Sequence, residues 1–446
     1  HPDILDFIAL KLDPTKMRNF NLSVAATDEF MRALAEDGEY RLVNPRSGEV
    51  VRSLSAKRVF DLIANAAWTI GDPGLVFIDR MNQEHPASHL GRIDATNPCG
   101  EQPLLPFESC TLGSINLGCF AGAGSIVWDA LGAAIRDGVH FLDNVIDVNA
   151  YPLEEITRAT RATRKIGLGV MGFADLLIEL GIPYDGDEAI DVAHQVAAFL
   201  DHESVAASEA LAETRGVFPA YQGSQWQEQG RAMRNATTTT VAPTGTISII
   251  AGCSSGIEPL FAVAYERRVL DGEVLREAHP AFAANMQARG LWGPQLESKV
   301  ARRGRVRGMD EVPEDVQRLF PTAHDIEPGT HIRMQAAFQS RVHAAVSKTI
   351  NLPQAATASD VAAAYRLAYE LGCKGVTVYR DRSRDGQVLS YGGDIAGEAE
   401  EPLVGPTDSS FAIEAVENGD CPECGTTVLV HSGCRVCHGC GWSACG

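Results

Sequence analysis

Short apolar runs that are typical of β-strands alternate along this chain with longer segments of helical character. The strand-like runs lie at residues 75–78, 166–170, 237–241 and 375–379. The helical segments lie at residues 57–70, 127–148, 187–212 and 359–371. In the first two of these segments, apolar residues recur at helical spacing. Because strands that alternate with helices usually pair in parallel, this pattern predicts an α/β architecture with parallel strands.

The composition excludes several classes of function. The chain has 446 residues and a formal net charge of −20. Such an acidic balance argues against a nucleic-acid partner and against an acidic membrane surface, since both favour basic patches. No apolar run approaches the roughly 18 residues that a membrane span needs, and no signal-peptide pattern opens the chain. An anionic substrate would therefore have to be held by local dipoles and a few placed cations.

A change in composition divides the chain into three parts. Residues 393–420 are acidic, contain Gly and Pro and show little periodicity, which is typical of a flexible linker. This linker separates a body at residues 1–392 from a small cysteine-rich tail at residues 421–446. The chain opens with HPDILDFIALK, which lacks an initiator Met and is already amphipathic. We therefore expect the sequence to be a fragment of a longer chain.

Eleven cysteines occur, and six of them are crowded into the tail. An odd number with this clustering does not fit a secreted disulfide framework, and it indicates a reducing, cytoplasmic compartment. The six are Cys421, Cys424, Cys434, Cys437, Cys440 and Cys445. Two Cys-x-x-Cys knuckles about ten residues apart have the spacing of a zinc site. Zinc needs four thiolates, so two cysteines remain for disulfide exchange.

The stretch NPCGEQPLLPFESC at residues 97–110 carries two further cysteines. Its three prolines exclude a helix interior, so we expect a loop with an extended backbone. In an extended backbone alternate side chains share one face. Asn97, Cys99 and Glu101 would then project together as an amide, a sulfur and a base. The alternative interpretation is a buried cysteine with two incidental polar neighbours.

A second loop is expected in VAPTGTIS at residues 241–248, which follows a β-rich run. Pro243 and Gly245, with the small hydroxyl residues beside them, predict a loop at a helix N-terminus, where unpaired backbone N–H groups bind phosphate. An ordinary Pro-Thr-Gly turn is the alternative. The segment GLGVMG at residues 167–172 also matches a dinucleotide-binding pattern. Its glycines lie within the predicted strand itself, so close strand–helix packing explains them better.

Several segments, in the right order, resemble the large catalytic chain of ribonucleotide reductases. They are NPCGE, CTLGSINL, APTGTIS and the terminal cysteine cluster. The segments HPDILDFIALKLDPTKMRNFNLSV, KIGLGVMGFADLL and LGCKGVTVYRDRSRDGQ also match, and together the motifs look like the adenosylcobalamin-dependent class. A single tyrosine, Tyr379, stands where the class with a separate radical-bearing subunit has two adjacent tyrosines. The resemblance implies part of a ten-stranded α/β barrel with a central finger loop, plus a small zinc-ribbon-like tail.

The resemblance implies radical reduction of ribonucleotides, with diphosphates favoured over triphosphates. Cys99 would carry a thiyl radical that abstracts the 3′-hydrogen of the ribose. Glu101 would act as the general base, and Asn97 would hydrogen-bond the sugar and the reacting groups. Cys110 would be one half of a dithiol that supplies two electrons by closing to a disulfide. The other half would lie upstream of the first residue.

The same resemblance implies the substrate and effector sites. The residues expected to bind substrate are Asn97, Pro98, Cys99, Gly100, Glu101, Pro243, Thr244, Gly245, Thr246 and Ile247. Residues 12–18 would relay the identity of a bound dNTP or ATP effector to the substrate base. Cys119, Cys253 and Cys373 match no redox position in the family, and we interpret all three as structural.

In the tail, Cys440 and Cys445 resemble the terminal pair that shuttles electrons to the active site. Zinc would then be held by the remaining four cysteines, Cys421, Cys424, Cys434 and Cys437. The alternative zinc set replaces Cys434 with Cys440, because Cys-x-x-Cys-Gly occurs twice and makes a matched ribbon. The implied partners are a thioredoxin-type reductant and a second copy of the chain. The competing interpretation of the whole protein is a zinc-ribbon binding module on a catalytically inert α/β body.

Overall fold

The computed structural model describes residues 1–13, 16–17, 19–268 and 274–383, together with the backbone of residues 428–431, 434–437 and 443–445. No helix in these ranges is both long and apolar enough to cross a membrane. The predicted linker at residues 393–420 lies outside the described residues, and the three-part division of the chain stays a prediction.

The helices occur where the sequence predicts them, and additional ones complete the set. In the described residues they are α1 (Ile4–Ala9), α2 (Asp28–Ala35), α3 (Ala56–Ile70), α4 (Ile78–Gln83), α5 (Trp128–Val148), α6 (Glu154–Thr163), α7 (Phe173–Leu180), α8 (Asp187–Arg215), α9 (Gln225–Glu228), α10 (Gly245–Ala251), α11 (Pro280–Ala288), α12 (Pro294–Arg303), α13 (Glu314–Leu319), α14 (Pro328–Gln339) and α15 (Ala358–Glu370). The four predicted helical segments correspond to α3, α5, α8 and α15. Local residues set the ends of α3: the Ser55 hydroxyl accepts the Arg58 N–H, and Gly71 ends the helix in the left-handed conformation.

The strands of the body are β1 (Ser23–Ala26), β2 (Glu39–Val43), β3 (Val50–Ser55), β4 (Gly74–Phe77), β5 (Ala95–Thr96), β6 (Pro103–Leu104), β7 (Leu112–Asn116), β8 (Ala121–Gly122), β9 (Ser125–Ile126), β10 (Gly167–Met171), β11 (Ala264–Arg268), β12 (Val274–Ala278), β13 (Thr349–Leu352) and β14 (Gly375–Arg380). Three predicted strands correspond to β4, β10 and β14. The fourth, at residues 237–241, pairs through single parallel bridges rather than a continuous ladder. The tail contributes β15 (Val428–His431), β16 (Cys434–Cys437) and β17 (Ser443–Cys445).

Parallel pairing dominates the centre of the body. β1 pairs with β4, β7 with β10, and β13 with β14, all in parallel. One antiparallel contact between β14 and β4 completes a sheet of order β1-β4-β14-β13. Parallel bridges through Thr239 and Val241 connect β10 to residue Val346, just before β13. The predicted α/β architecture is therefore confirmed.

The expected closed barrel of ten strands is not formed by the described residues. Within them, β1 and β7 each have a named strand as partner on one side only. Backbone N–H and C=O groups at such edges are unpaired and accept further strands. The strands that the structure describes therefore form an open arc of the barrel rather than a complete ring.

Two hydrophobic cores hold the helices against these strands. One packs α5, α7 and α8 against β10, and it includes the fully buried Ile135, Leu168 and Phe173. The other packs α3 and α15 against β4 and β14, with Phe60 and Tyr365 in its centre. Every residue of β4 and β10 is buried, as expected of parallel strands that are covered on both faces.

The glycines of β10 allow a close approach of neighbouring chains. A Cβ atom at Gly169 would lie 2.2 Å from the carbonyl oxygen of Thr240, and one at Gly167 would lie 2.3 Å from the Gln102 side chain. Glycine is needed where another backbone comes this near. The interpretation that these glycines serve packing is therefore confirmed, although the close neighbours are an adjacent strand and a loop rather than a helix.

Candidate active site

The loop that carries Cys99 is the tip of a short hairpin between β5 and β6. The Asn97 N–H donates to the Gln102 carbonyl (3.1 Å), and the Asn97 Oδ1 atom accepts the Gln102 N–H (3.0 Å). The Gly100 N–H donates to the Asn97 carbonyl (3.0 Å), which makes this segment a β-turn. The predicted extended backbone is therefore wrong. A signal for the turn was present, because Asn, Pro and Gly occupy the first, second and fourth positions that type I turns favour.

The turn brings together the three residues that the extended backbone was expected to align. Burial raises the pKa of Glu101, and hydrogen bonds from its own backbone and from the Asn97 side chain partly oppose this rise. Burial and then the negative charge of Glu101 raise the pKa of the Cys99 thiol. At neutral pH Cys99 is therefore a protonated thiol beside a buried carboxyl group. This arrangement can supply a hydrogen atom and accept a proton at neighbouring points.

One oxygen atom of Glu101 lacks a partner. The Glu101 side chain is only 3% exposed, and its Oε2 atom is buried without a hydrogen bond from any described residue. Leaving a buried polar atom unpaired costs about 1–3 kcal/mol, so such atoms call for an explanation. Oε2 is free to accept a hydrogen bond from a bound hydroxyl group, which is the geometry that a general base needs.

The turn is anchored on the central strands. The Glu101 carbonyl accepts the Thr240 hydroxyl (2.8 Å) and the Ala345 N–H (2.9 Å). At the tip, the Asn21 side chain donates to the Pro98 carbonyl (2.9 Å). Because the anchors come from three separate parts of the chain, the position of the turn depends on the assembled body.

Cys110 lies beside this turn, two residues before β7. Burial, and then the charges of Glu101, Cys99 and Glu108, raise the pKa of the Cys110 thiol to about 11. Charges act at this strength only over short distances, so Cys99, Glu101 and Cys110 form one cluster. Both cysteines are free thiols that remain exposed. The structure thus brings together all four predicted catalytic residues that lie in the body.

The second predicted loop begins where the extended segment at residues 237–241 ends. Thr244 has a φ of 53° and directly precedes α10. Its hydroxyl accepts the Gly256 N–H (2.7 Å), while Pro243 is half-buried and the first three residues of α10 are exposed. A loop at a helix N-terminus is therefore confirmed. Phosphate binding there stays a prediction, supported by the first-turn N–H groups that have no acceptor within a helix.

The predicted tail and effector residues are only partly described. The side chains of the six tail cysteines lie outside the described residues, as do residues 14, 15 and 18 of the effector segment. The tail strands form an antiparallel sheet in which Cys434 stands opposite Cys445. Within the part of the chain that the structure describes, no group of three or more His, Cys, Asp or Glu could hold a metal ion. The zinc and shuttle assignments stay predictions.

The three cysteines interpreted as structural lie in different environments. Cys373 is buried, and burial raises its pKa to about 12. Cys119 is exposed, and Cys253 is intermediate. Burial, Asp175 and Cys119 raise the pKa of Cys253 to about 11. A structural role fits the environment of Cys373 best.

Sequence reasoning missed a buried ion pair next to Cys110. Glu108 and Lys165 lie 2.7 Å apart, and their side chains are 2% and 4% exposed. The available signal was the position of Lys165, two residues before the wholly buried strand β10. A lysine is rarely buried unless it is paired, so its presence there indicated an acidic partner. The sequence does not show which acid it would be.

Comparison with known proteins decides the family. Residues 1–379 match the family model described as ribonucleotide reductase, barrel domain. The chain belongs to the ribonucleotide reductase family. The resemblance drawn from its motifs is therefore confirmed, and the finger-like turn with Cys99 lies within the matched reductase barrel domain.

Two relatives of this reductase chain are named vitamin B12-dependent ribonucleoside-diphosphate reductase. The one from Thermoplasma acidophilum is 49% identical over 406 residues, which cover 91% of this chain and 53% of that protein. The one from Mycobacterium tuberculosis is 50% identical over 413 residues, which cover 92% of this chain and 57% of that protein. The chain thus spans little more than half the length of these relatives.

Among solved structures, the reductase fold is shared with the Actinobacillus ureae class Id ribonucleotide reductase alpha subunit. The TM-score is 0.70, and the match covers 85% of this chain and 69% of that chain. The sequence identity is 22%, so this likeness concerns the fold alone. It agrees with the arc of parallel strands around the Cys99 turn.

Proposed function

We propose that this protein reduces ribonucleoside diphosphates to 2′-deoxyribonucleotides by a radical mechanism that depends on adenosylcobalamin. The observation that carries the proposal is the cluster of Cys99, Glu101 and Cys110 at one anchored turn. The names of the relatives at 49% and 50% identity support the cobalamin cofactor and the diphosphate substrate. A zinc-ribbon module on an inert body would not require this cluster, and it is not favoured.

The tip of the turn suits a radical that arrives from a bound cofactor. Cys99 is exposed there, and no described atom lies within 4 Å of the point where a Cβ of Gly100 would stand. When bound, adenosylcobalamin supplies the radical that removes the hydrogen atom from the Cys99 thiol. The single tyrosine at Tyr379 supports a radical made in place rather than one delivered by a tyrosine pair.

The residues of the turn then divide the work on the ribose. The Cys99 thiyl radical takes the 3′-hydrogen atom, and the unpaired Oε2 atom of Glu101 accepts the proton of the 3′-hydroxyl. Asn97 holds the carboxylate in place through its side-chain hydrogen bond. The 2′-hydroxyl leaves as water. Cys99 finally returns its hydrogen atom to the 3′-carbon, which restores the thiyl radical.

Loss of the 2′-hydroxyl requires two electrons and two hydrogens. Two thiols supply them and close to a disulfide, so the reaction converts a ribonucleotide and a dithiol into a deoxyribonucleotide, water and a disulfide. Cys110 is one of the two thiols. Its raised pKa keeps it protonated at neutral pH, which is the form that can donate hydrogen. The second thiol belongs to the preceding part of the full-length protein.

The remaining parts of the proposal concern binding and recycling. Residues 243–247 hold the substrate phosphates, and residues 12–18 relay the effector. In the tail, Cys440 and Cys445 reduce the active-site disulfide and are recharged by a thioredoxin-type protein. The other four tail cysteines bind zinc. The protein acts in the cytoplasm as a homodimer.

The test replaces Cys99 with Ser in the protein at its full natural length. With adenosylcobalamin, a dithiol and each ribonucleotide in turn, we expect the unaltered protein to form deoxyribonucleotides and Cys99→Ser to form none, because an alkoxyl radical is not accessible. Cys119→Ser, a change at another exposed cysteine, is the matched control and should keep its turnover. Chromatography of the products measures both. Near-normal product formation by Cys99→Ser would overturn the proposal.

A further inference from the structure

The segment that leads to Cys110 is fastened by the carboxylate of Glu108. Lys165 Nζ donates to Glu108 Oε2 (2.7 Å), and the Leu105 N–H donates to the same oxygen (2.7 Å). The Thr163 hydroxyl donates to the other oxygen, Oε1 (2.6 Å). Three donors therefore hold one carboxylate, and they come from the segment itself, from the end of α6 and from the approach to β10.

This fastening works against a backbone that would not keep its shape unaided. Phe107 has a φ of 67° and an exposed side chain, and a bulky residue in the left-handed region is strained. A second contact assists on the far side of Glu108, where the Ser109 N–H donates to the Thr160 hydroxyl (3.2 Å). The strained turn persists because α6 and Lys165 hold both of its ends.

We infer that the buried Glu108–Lys165 pair is a positioning device that keeps the Cys110 thiol beside Cys99 and Glu101. The inference rests on the proposed function, in which Cys110 must return to the same place after every oxidation and reduction. Glu108 and Lys165 touch neither the substrate nor the reacting atoms. They act through the turn that ends at Cys110.

The charge of the pair has a second effect on the same thiol. The negative groups that face Cys110 are Glu101, Cys99 and Glu108, and each raises its pKa beyond the effect of burial. Lys165 is engaged by Glu108 and does not offset this effect. An uncharged residue of the same shape at position 108 would keep part of the turn but would release the Cys110 proton more readily.

The test measures how fast iodoacetamide alkylates Cys110 as a function of pH, with the labelled peptide quantified by mass spectrometry. The thiolate is the reactive form, and Glu108→Gln should move the pH profile of Cys110 to lower pH. A tenfold gain in thiolate raises the alkylation rate at pH 8 by about threefold, because the thiolate of a more acidic thiol is a weaker nucleophile. The buried Cys373 reports unfolding in the same sample, since it stays unlabelled while the protein is folded.

Two further variants separate charge from general damage. Glu108→Gln leaves Lys165 buried without a partner, so the double variant Glu108→Gln with Lys165→Met restores a neutral pair and should fold while keeping the shifted profile. Glu311→Gln removes an exposed glutamate that pairs with Lys299, and it should leave the Cys110 profile unchanged. In turnover assays Glu108→Gln should lower kcat while KM stays constant.

The alkylation result does not depend on turnover, so the two proposals fail separately. If the unaltered protein forms no deoxyribonucleotide, the proposed function is wrong, and the alkylation profile still reports whether Glu108 controls Cys110. If Cys110 in Glu108→Gln and in the double variant titrates as in the unaltered protein while Cys373 stays protected, the positioning inference is overturned.

Discussion

At the level of single residues, burial of Glu101 sets stability against chemistry. Its pKa is raised by burial, so the folded protein binds a proton at this carboxyl more tightly than the unfolded chain does. Stability therefore falls as the pH rises through the interval between the ordinary pKa and the raised one. Above that interval the ionised carboxylate carries its full destabilising effect, and this is also the form that can act as a base.

Glu101→Gln should consequently make the protein more stable and inactive. At pH 7 we expect the free energy of unfolding to rise by about 1 kcal/mol, because the buried charge is removed while the shape is kept. The gain should vanish below the ordinary pKa, where both side chains are neutral. Turnover should fall by about 100-fold or more, the usual contribution of a general base. Urea unfolding at several pH values and product analysis check the two effects.

A glutamate of the opposite kind provides the control for this prediction. The hydrogen bond from Lys299 lowers the pKa of Glu311, so its ionised form favours the folded state at neutral pH. Glu311→Gln should therefore give no stabilisation at pH 7 and should leave turnover intact. Equal unfolding curves for Glu101→Gln and the unaltered protein at every pH would contradict the account of Glu101.

At the level of elements, the spacing of β10 against residues 237–241 positions the active-site turn. A Cβ atom at Gly169 would lie 2.2 Å from the carbonyl oxygen of Thr240, and Thr240 also anchors the Glu101 carbonyl. Gly169→Ala should therefore cost about 1–3 kcal/mol of unfolding free energy, as overpacking usually does, and should also reduce turnover. Urea unfolding and product analysis measure these effects.

The control is another glycine with an ordinary backbone conformation. Gly293 has a φ of −172°, and no described atom lies within 4 Å of the position of its added Cβ. Gly293→Ala should change the unfolding free energy by only a few tenths of a kcal/mol. If the two variants lose the same stability, close packing at β10 is not the reason for the glycine.

In the tail, the test of the zinc assignment is Cys434→Ser. If Cys421, Cys424, Cys434 and Cys437 bind the metal, this variant should lose zinc, because a structural site needs four thiolates. The rival set uses Cys440 in place of Cys434 and predicts full zinc content. Metal analysis of the purified variant distinguishes the two. Cys445→Ser is the matched control, since both schemes leave that residue outside the zinc site.

The elements also show which sequence signals could be trusted. The long helices were predicted because their apolar faces repeat over many residues, and β4 and β10 were predicted because both of their faces are buried. The turn at Asn97 was mispredicted because side-chain alternation was applied to a segment whose Pro and Gly favour a turn. The outcome at Cys99 was still right, since a turn and an extended strand can bring the same three side chains together.

At the level of the whole molecule, the α/β class followed from the order of the segments, but the pairing of buried charges did not. Lys165 pairs with Glu108, Lys348 with Glu258 and Lys374 with Glu84, and the partners are far apart in sequence. No local pattern encodes such contacts, because each depends on how helices and strands are finally packed. The open arc of strands likewise depends on tertiary pairing at β1 and β7.

The antiparallel contact of β4 with β14 joins the two ends of the body. The core around Phe60 and Phe77 is completed by residues after 330, including Tyr365 and Val378, so the first eighty residues cannot bury their apolar side chains until nearly four hundred have been synthesised. Contacts this distant in sequence slow folding. During translation the opening segment must therefore wait with its strands unpaired, and in the cell a chaperone that shields apolar segments would be needed most before β14 leaves the ribosome.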